Sequence, residues 1–502
     1  MTTLTTTDPR TGATADTGIT ATDDGAVAGI ARAADEALRA VRSRPRSWRA
    51  GLLRALADAL DADRAGLVAT AMAETGLPEA PLTGELTRSA FQFRLFADAV
   101  DDGAFLEAII DHADDTPMGP GPDVRRMLVP VGPVAVFGSS NFPFAFSALG
   151  GDTASALAGG NAVVIKAHSS HPLTSQRSHA ALEHAARAHG APDGLIGIVY
   201  GQRAGAALVA DPTVAAVGFT GSLSTGRILL DIIERRERPI PFFGELSSLN
   251  PLVITPAAAA ARGDEIAAGL FTSFTGSAGQ LCTKPGLAFL PASADGIVDG
   301  IVARGRDAAP QALLNSRIHD ELGRIQHRLV ADGGARVLLD ARPGDEGFTV
   351  TPAVLEIAAA ALTPAVAEEA FGPLLVLVRY ESLDEVYSAL GMIPDSLTAT
   401  LHAEPDETET IDRFTARVHD LVGRIVYNGY PTGVRVSWGM HHGGPWPATN
   451  TQHTSVGVTA MRRFLRPLAW QDAPAHVLPA ELRDGPVDVP RRVDGELQLA
   501  AR

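Results

Sequence analysis

One cysteine, Cys282, is all the thiol chemistry that 502 residues contain. A lone thiol has no partner within the chain, which excludes a disulfide framework and a multi-cysteine metal site. It also suits a reducing compartment, and a cytoplasmic setting is expected. Positive charge is in deficit: the formal net charge is −16, which argues against a nucleic acid or an anionic membrane as partner. The first residues, MTTLTTTDPRTGATADTG, lack a basic stretch followed by an apolar one, so no secretory signal is read there. Residues 127–151 are uncharged, but Pro130, Pro133, Pro143, Gly132, Gly138 and Asn141 interrupt them, and no spanning helix is expected. There is no G-x-G-x-x-G fingerprint and no internal repeat.

What is present is enough apolar sequence, 45% of residues, for a sizeable core shared among about two to four domains. Residues 1–24 are rich in Thr, Asp and Gly without periodicity and are expected to be a mobile tail. Helical spacing follows at 26–42, 47–62 and 81–100, with Leu52, Leu53, Leu56 and Leu60 on one face. From Val124 the pattern changes. Apolar runs at 134–137, 162–166, 195–200 and 215–220 alternate with helix-length segments, implying an α/β fold whose parallel sheet is covered on both faces. Ligands of such sheets lie beyond the carboxyl ends of the strands. That rule selects Asn141, Lys166 and the turn Thr220-Gly221-Ser222. A second α/β region follows Glu245, with strands expected at 252–255, 286–291 and 374–380.

Cys282 sits in FTGSAGQLCTKPG, where Gly276, Ser277, Ala278 and Gly279 let a ligand approach the sulfur; a buried structural cysteine is the plainer alternative. Gly221, Ser222 and Gly226 form G-S-x-x-x-G at a strand-to-helix junction, suited to a pyrophosphate, although a simple turn accounts for it equally. Lys166 ends an apolar strand, where its cation could meet ribose hydroxyls or phosphate, or only solvent. Glu245 stands between Phe243 and Leu246; such surroundings raise a carboxyl pKa and favour a general base, the alternative being a loop glutamate.

Read together and in order, FGSSNFPFAF, VVIKAHS, GFTGSLSTG, FGELSSLNP, AGQLCT and EEAFGPL resemble the motifs of the aldehyde dehydrogenase superfamily over about residues 26–471. The segments GGDTASALAGG, KAHSSHP and HHGGPWPAT most resemble the alpha-ketoglutaric semialdehyde (2,5-dioxovalerate) and NADP-dependent aldehyde dehydrogenase branch. The resemblance implies a Rossmann-like cofactor domain at 25–112 and 131–246, and an α/β catalytic domain at 247–450. A bridging, oligomerising element would join 113–130 to 451–502, giving a homodimer or homotetramer. It implies that Cys282 attacks the aldehyde, that Asn141 and the Cys282 N–H hold the oxyanion, and that Glu245 activates the water that hydrolyses the thioester. Lys166, His168, Ser169, Gly221, Ser222, Gly226, Glu369 and Phe371 would hold the cofactor; no metal is implied.

Several positions depart from the family pattern. Ser140 stands where a Trp is usual, Ser247-Ser248-Leu249 continue the Glu245 motif where Gly-Gly-Lys is usual, and Ser277 replaces an Asn. Ser169 occupies the place where NAD-preferring members carry a Glu. Without that carboxylate nothing repels a 2′-phosphate, so NADP is expected, with NAD possible. A dicarboxylic semialdehyde would need a cation in the substrate tunnel, for which Arg435, Arg462 and Arg463 are candidates. A fatty aldehyde would use Phe142, Phe144, Phe146 and Trp446 instead. A coenzyme-A-acylating enzyme is disfavoured by Glu245; a catalytically inactive binding protein of the same fold is the alternative of another class.

Overall fold

The apolar runs after Val124 become strands because most are short, rich in Val and Ile, and set off by nearby Gly or Pro. In the computed structural model, which describes residues 2–500, five of them form one sheet. Across it lie Phe242–Glu245, Ala216–Thr220, Val134–Phe137, Val163–Lys166 and Ile196–Val199, each parallel to its neighbour. The chain starts in the middle, steps outward twice, then returns past its start and steps out on the other side. That reversal opens a crevice at the carboxyl ends, between Val134–Phe137 and Ala216–Thr220. Register places Lys166 beside Phe137 and Glu245 beside Thr220, so the two charged groups lie at the same end of the sheet.

A seven-stranded sheet carries the second region: Arg336–Leu339, Ala353–Ala358, Leu374–Tyr380, Leu287–Pro291, Leu252–Ile254, Ser396–His402 and Val422–Tyr427. Only Arg336–Leu339 runs antiparallel to its neighbour. Alternation divides its side chains between two cores: Leu252 and Ile254 pack on one face and Val253 on the other, as do Ala288 and Leu290 against Leu287 and Phe289. The five-stranded parallel sheet has its own core, shared with helices Asp24–Val41, Arg46–Ala62 and Glu79–Asp102. The expected leucine face is buried there at Leu52, Leu53, Leu56 and Leu60.

A third sheet joins distant sequence. Val124–Pro130 pairs with Leu465–Gln471 on one side and with Ala108–Asp111 on the other. Arg491–Val493 and Glu496–Gln498 extend it to an exposed edge. The N-terminal segment differs from its expectation: Thr3–Thr7 and Thr14–Thr20 form an antiparallel hairpin. Buried Glu74 holds it by accepting from Thr6 Oγ1 (2.9 Å) while also accepting the N–H groups of Leu173 and Thr174. Residue 1 of that expected tail, and residues 501–502 of the C-terminal segment, lie outside the described residues. Among the described residues no helix is long and apolar enough to cross a membrane.

Candidate active site

Thr255 caps the helix Pro256–Thr275 by accepting from the Ala258 N–H, with Pro256 at its first position. The helix ends at Gly276 and delivers the chain into a strained loop. Ser277, Ala278 and Gly279 have φ values of 51°, 54° and 68°, left-handed conformations that cost about 1–3 kcal/mol for residues other than glycine. Side chains from elsewhere hold it. The Ala278 N–H donates to Gln311 Oε1 (3.0 Å), and Gln280 Nε2 donates to the Ser277 carbonyl (3.2 Å). At Gly279 a Cβ would collide with the backbone of Gly372 and Pro373; only glycine allows that approach. Asn250 Nδ2 donates to the carbonyls of Cys282 (2.8 Å) and Lys284 (3.0 Å).

This loop presents Cys282 half-buried rather than sealed in the core. Its Sγ lies 3.5 Å from His442 Nε2, which lies 3.1 Å from Glu245 Oε1; Ser455 donates to Glu245 Oε2 at 2.7 Å. Glu245 and His442 are buried. His442 Nδ1 has no partner, so the proton chemistry of this ring is concentrated at Nε2, between sulfur and carboxylate.

The electrostatics correct one expectation. Burial raises the Glu245 pKa, but the His442 charge and the hydrogen bonds from His442, Ser455 and Cys282 outweigh it, bringing the carboxyl down to about 2. The apolar neighbours predicted a raised value; polar partners from residues 442–455 reverse it. Burial, then the adjacent Glu245 charge, push the Cys282 thiol well above its ordinary pKa. The resting pair is therefore a neutral thiol beside a carboxylate. Sγ, Nε2 and a carboxylate oxygen lie within 4.8 Å of one another, a donor set that could hold a soft metal ion as well as relay a proton.

Asn141 also reaches this loop: its Nδ2 donates to the Gln280 carbonyl at 2.9 Å. An amide nitrogen carries two hydrogens, so one remains for a ligand. Glu369 accepts from Ser247 Oγ (2.6 Å) and the Ser248 N–H (3.3 Å), and burial lifts its pKa to about 7. Thus Cys282, Glu245, Asn141 and Glu369 converge, and His442, Ser455 and Asn250 join them.

The other predicted residues lie towards the strand ends. Lys166 is largely buried, and burial alone lowers its amine to about 8, with no acidic partner opposing it. Ser169 is exposed beyond it. His168 Nδ1 accepts from the Ser170 N–H, and burial depresses its pKa strongly. Exposed Ser222 caps the helix Leu223–Glu234 by accepting from Thr225 N–H. The Gly221 N–H donates to the Glu245 carbonyl (3.0 Å). Gly226 makes its close approach to Leu246, so its bareness serves packing beside Glu245. Half-buried Phe371 adjoins Gly372, against which Gly279 packs.

The arginines proposed for the tunnel are committed or exposed. Arg463 pairs with Asp152 (2.6 Å), Arg462 with Glu107 (2.9 Å), and Arg435 is exposed. Phe144 is fully buried and Trp446 exposed, whereas Phe142 and Phe146 face each other 5.3 Å apart and Phe146 lies 6.2 Å from the His442 ring.

Comparison with known proteins shows the family and the fold. The aldehyde dehydrogenase family matches residues 2–451. The chain is 42% identical to alpha-ketoglutaric semialdehyde dehydrogenase 2 of Azospirillum brasilense, covering 95% of this chain and 94% of that one. It is 37% identical to the alpha-ketoglutaric semialdehyde dehydrogenase of Acinetobacter baylyi, covering 93% and 90%. In fold it is similar to an NADP-dependent glyceraldehyde-3-phosphate dehydrogenase of Bacillus halodurans solved with NADP (TM-score 0.80, 22% identity, 94% and 96% covered).

Proposed function

The chain belongs to the aldehyde dehydrogenase family, and we propose that it oxidises alpha-ketoglutaric semialdehyde to 2-oxoglutarate with NADP, NAD being possible. Oxidation of an aldehyde to its acid is the family's reaction; the substrate and the residue roles are this proposal. The observation that carries it is the contact of one sulfur, one imidazole and one carboxylate at 3.5 and 3.1 Å.

In this reading the Cys282 sulfur attacks the aldehyde carbon. Its proton passes to His442, whose Nε2 lies 3.5 Å away. The free N–H of Asn141 and the Cys282 backbone N–H, which donates to nothing among the described residues, hold the new oxyanion. A nicotinamide dinucleotide, when bound, accepts the hydrogen and two electrons that leave the carbon. Glu245, kept ionised by His442 and Ser455, then orients and deprotonates the water that cleaves the thioester, and Cys282 is released. A carboxyl at about 2 is a weak base alone, so His442 is needed to share that proton.

The partly buried Lys166 amine, without a partner among the described residues, fits a ribose or phosphate. The exposed hydroxyls of Ser169 and Ser222, the latter at a helix start, fit phosphate oxygens. In this reading Glu369 holds the ribose nearer the sulfur. A cytoplasmic setting and a homo-oligomer belong to the same reading. The latter is supported by the open sheet edge at Glu496–Gln498, where Leu497 is exposed.

The test is a rapid-mix experiment with NADP and aldehyde. A stoichiometric burst of NADPH is expected, absent in Cys282→Ala and retained in Glu245→Gln with slow turnover after it. Absence of a wild-type burst and of steady turnover, with every semialdehyde and medium-chain aldehyde tried, would leave an inactive binding protein.

A further inference from the structure

Arg88 lies on the helix Glu79–Asp102, one turn after Glu85. Its guanidinium is largely buried, and among the described residues neither Nε nor Nη2 has a partner. Such a cation is costly unless something pairs with it. Glu85 does not: its Oε1 is taken by the N–H groups of Phe144 (2.7 Å) and Ala145 (2.8 Å), which fixes the segment bearing Phe142 and Phe146. The Arg88 Cζ sits 5.1 Å from the Phe146 ring centre, and that ring lies 6.2 Å from His442. Burial lowers the Arg88 pKa, while Glu85, Cys282 and Glu245, when ionised, oppose the drop. The guanidinium thus stands one aromatic ring from the reaction centre and within its field.

Other cations near that centre are already used. Lys284 donates to the Leu374 carbonyl (2.8 Å), and both terminal nitrogens of Arg424 donate to the carbonyls of Gly433 and Pro431. Arg88 is left with an unused planar fork, the geometry that grips a carboxylate through two parallel hydrogen bonds.

We propose that Arg88 is the specificity residue that binds the distal carboxylate of the aldehyde substrate. A five-carbon semialdehyde spans about 5 Å from carbonyl carbon to carboxyl carbon, four bonds of about 1.5 Å. It would lie along Phe146, aldehyde at Cys282 and carboxylate at Arg88. The inference rests on the semialdehyde reading and deepens it. It also places the specificity cation in the N-terminal helical region rather than among the C-terminal arginines.

The experiment compares kcat/KM for alpha-ketoglutaric semialdehyde and for pentanal, also of five carbons, in wild type, Arg88→Met and Arg88→Lys. Wild type favours the semialdehyde. Arg88→Met loses about 100-fold on it and stays within about 3-fold on pentanal; Arg88→Lys loses about 10-fold, because an ammonium lacks the fork. Glutarate, a competitive dead-end ligand, weakens in parallel in both variants, a readout independent of turnover. Equal loss on both aldehydes, or unchanged glutarate binding, overturns the role of Arg88 and leaves the semialdehyde reading standing. A wild type indifferent to the carboxylate overturns both. Should Arg88→Met not fold, Arg88→Lys decides by the same comparison.

Discussion

The two ends of the cleft treat their polar groups differently. Around Cys282 partners are plentiful: Asn250 holds two carbonyls, Asn141 another, and Glu245 accepts from both His442 and Ser455. At the strand ends and on the helix of Arg88 the cations are partly buried and, among the described residues, uncommitted. Electrostatic assistance to a reaction works when dipoles are fixed before charge develops. Recognition of a charged ligand works when the protein's own charge has no competing partner. In the proposed reading, the surroundings of Cys282 are preorganised for chemistry, and the cations around them are held ready for binding.

Asn250→Ala attacks the preorganised end most severely. It strips partners from the carbonyls of Cys282 and Lys284 and from Thr398, whose N–H and Oγ1 both donate to Asn250 Oδ1. It also forces Ala to φ 51°. Turnover is expected to fall by more than 100-fold, and the urea midpoint to drop by the equivalent of about 3 kcal/mol. Retained turnover would mean the loop needs no such tether.

Lys166→Ala tests the opposite end and should do the reverse. KM for NADP is expected to rise about 10-fold, the loss of one charge-assisted contact, while the urea midpoint holds or rises because a partly desolvated amine has gone. A fall in stability with unchanged KM would place that amine in the architecture instead.

The smallest effect sharpens the electrostatic contrast. Glu245 raises the Cys282 pKa, so Glu245→Gln should move the pH profile of alkylation by iodoacetamide, without cofactor, to lower pH. The sign follows from removing a negative charge beside a forming thiolate. A profile unmoved or shifted upward would mean that the carboxylate does not act on the sulfur.

The sequence made some of this legible. Cys282, Glu245 and Asn141 stand in apolar or small-residue contexts that mark them, and the strands of the parallel sheet announce themselves as runs such as Val134–Phe137. The missed features have physical reasons. Ser396–His402 is wholly buried yet reads as polar, because its Thr398 is satisfied by Asn250 from another strand's edge. The N-terminal hairpin lacks apolar alternation and depends on Glu74, far along the chain. His442 lies in a Pro/Gly-dense loop that gives no local signal of what it will face. Arg88 looks like a solvent-facing helix charge until Glu85 is seen to be occupied elsewhere. The raised pKa expected of Glu245 failed because nearby sequence revealed its apolar neighbours and concealed its hydrogen-bond donors.

The sulfur comes from a loop of the seven-stranded half, whereas the carboxylate ends a strand of the five-stranded half, and the two halves fill separate apolar interiors. In the proposed reading, the place where bonds are made is therefore a seam. Small disturbances deep in either interior would be felt as misaligned chemistry well before they weakened the molecule as a whole. Catalytic rate is thus the most sensitive gauge of how well the halves are seated.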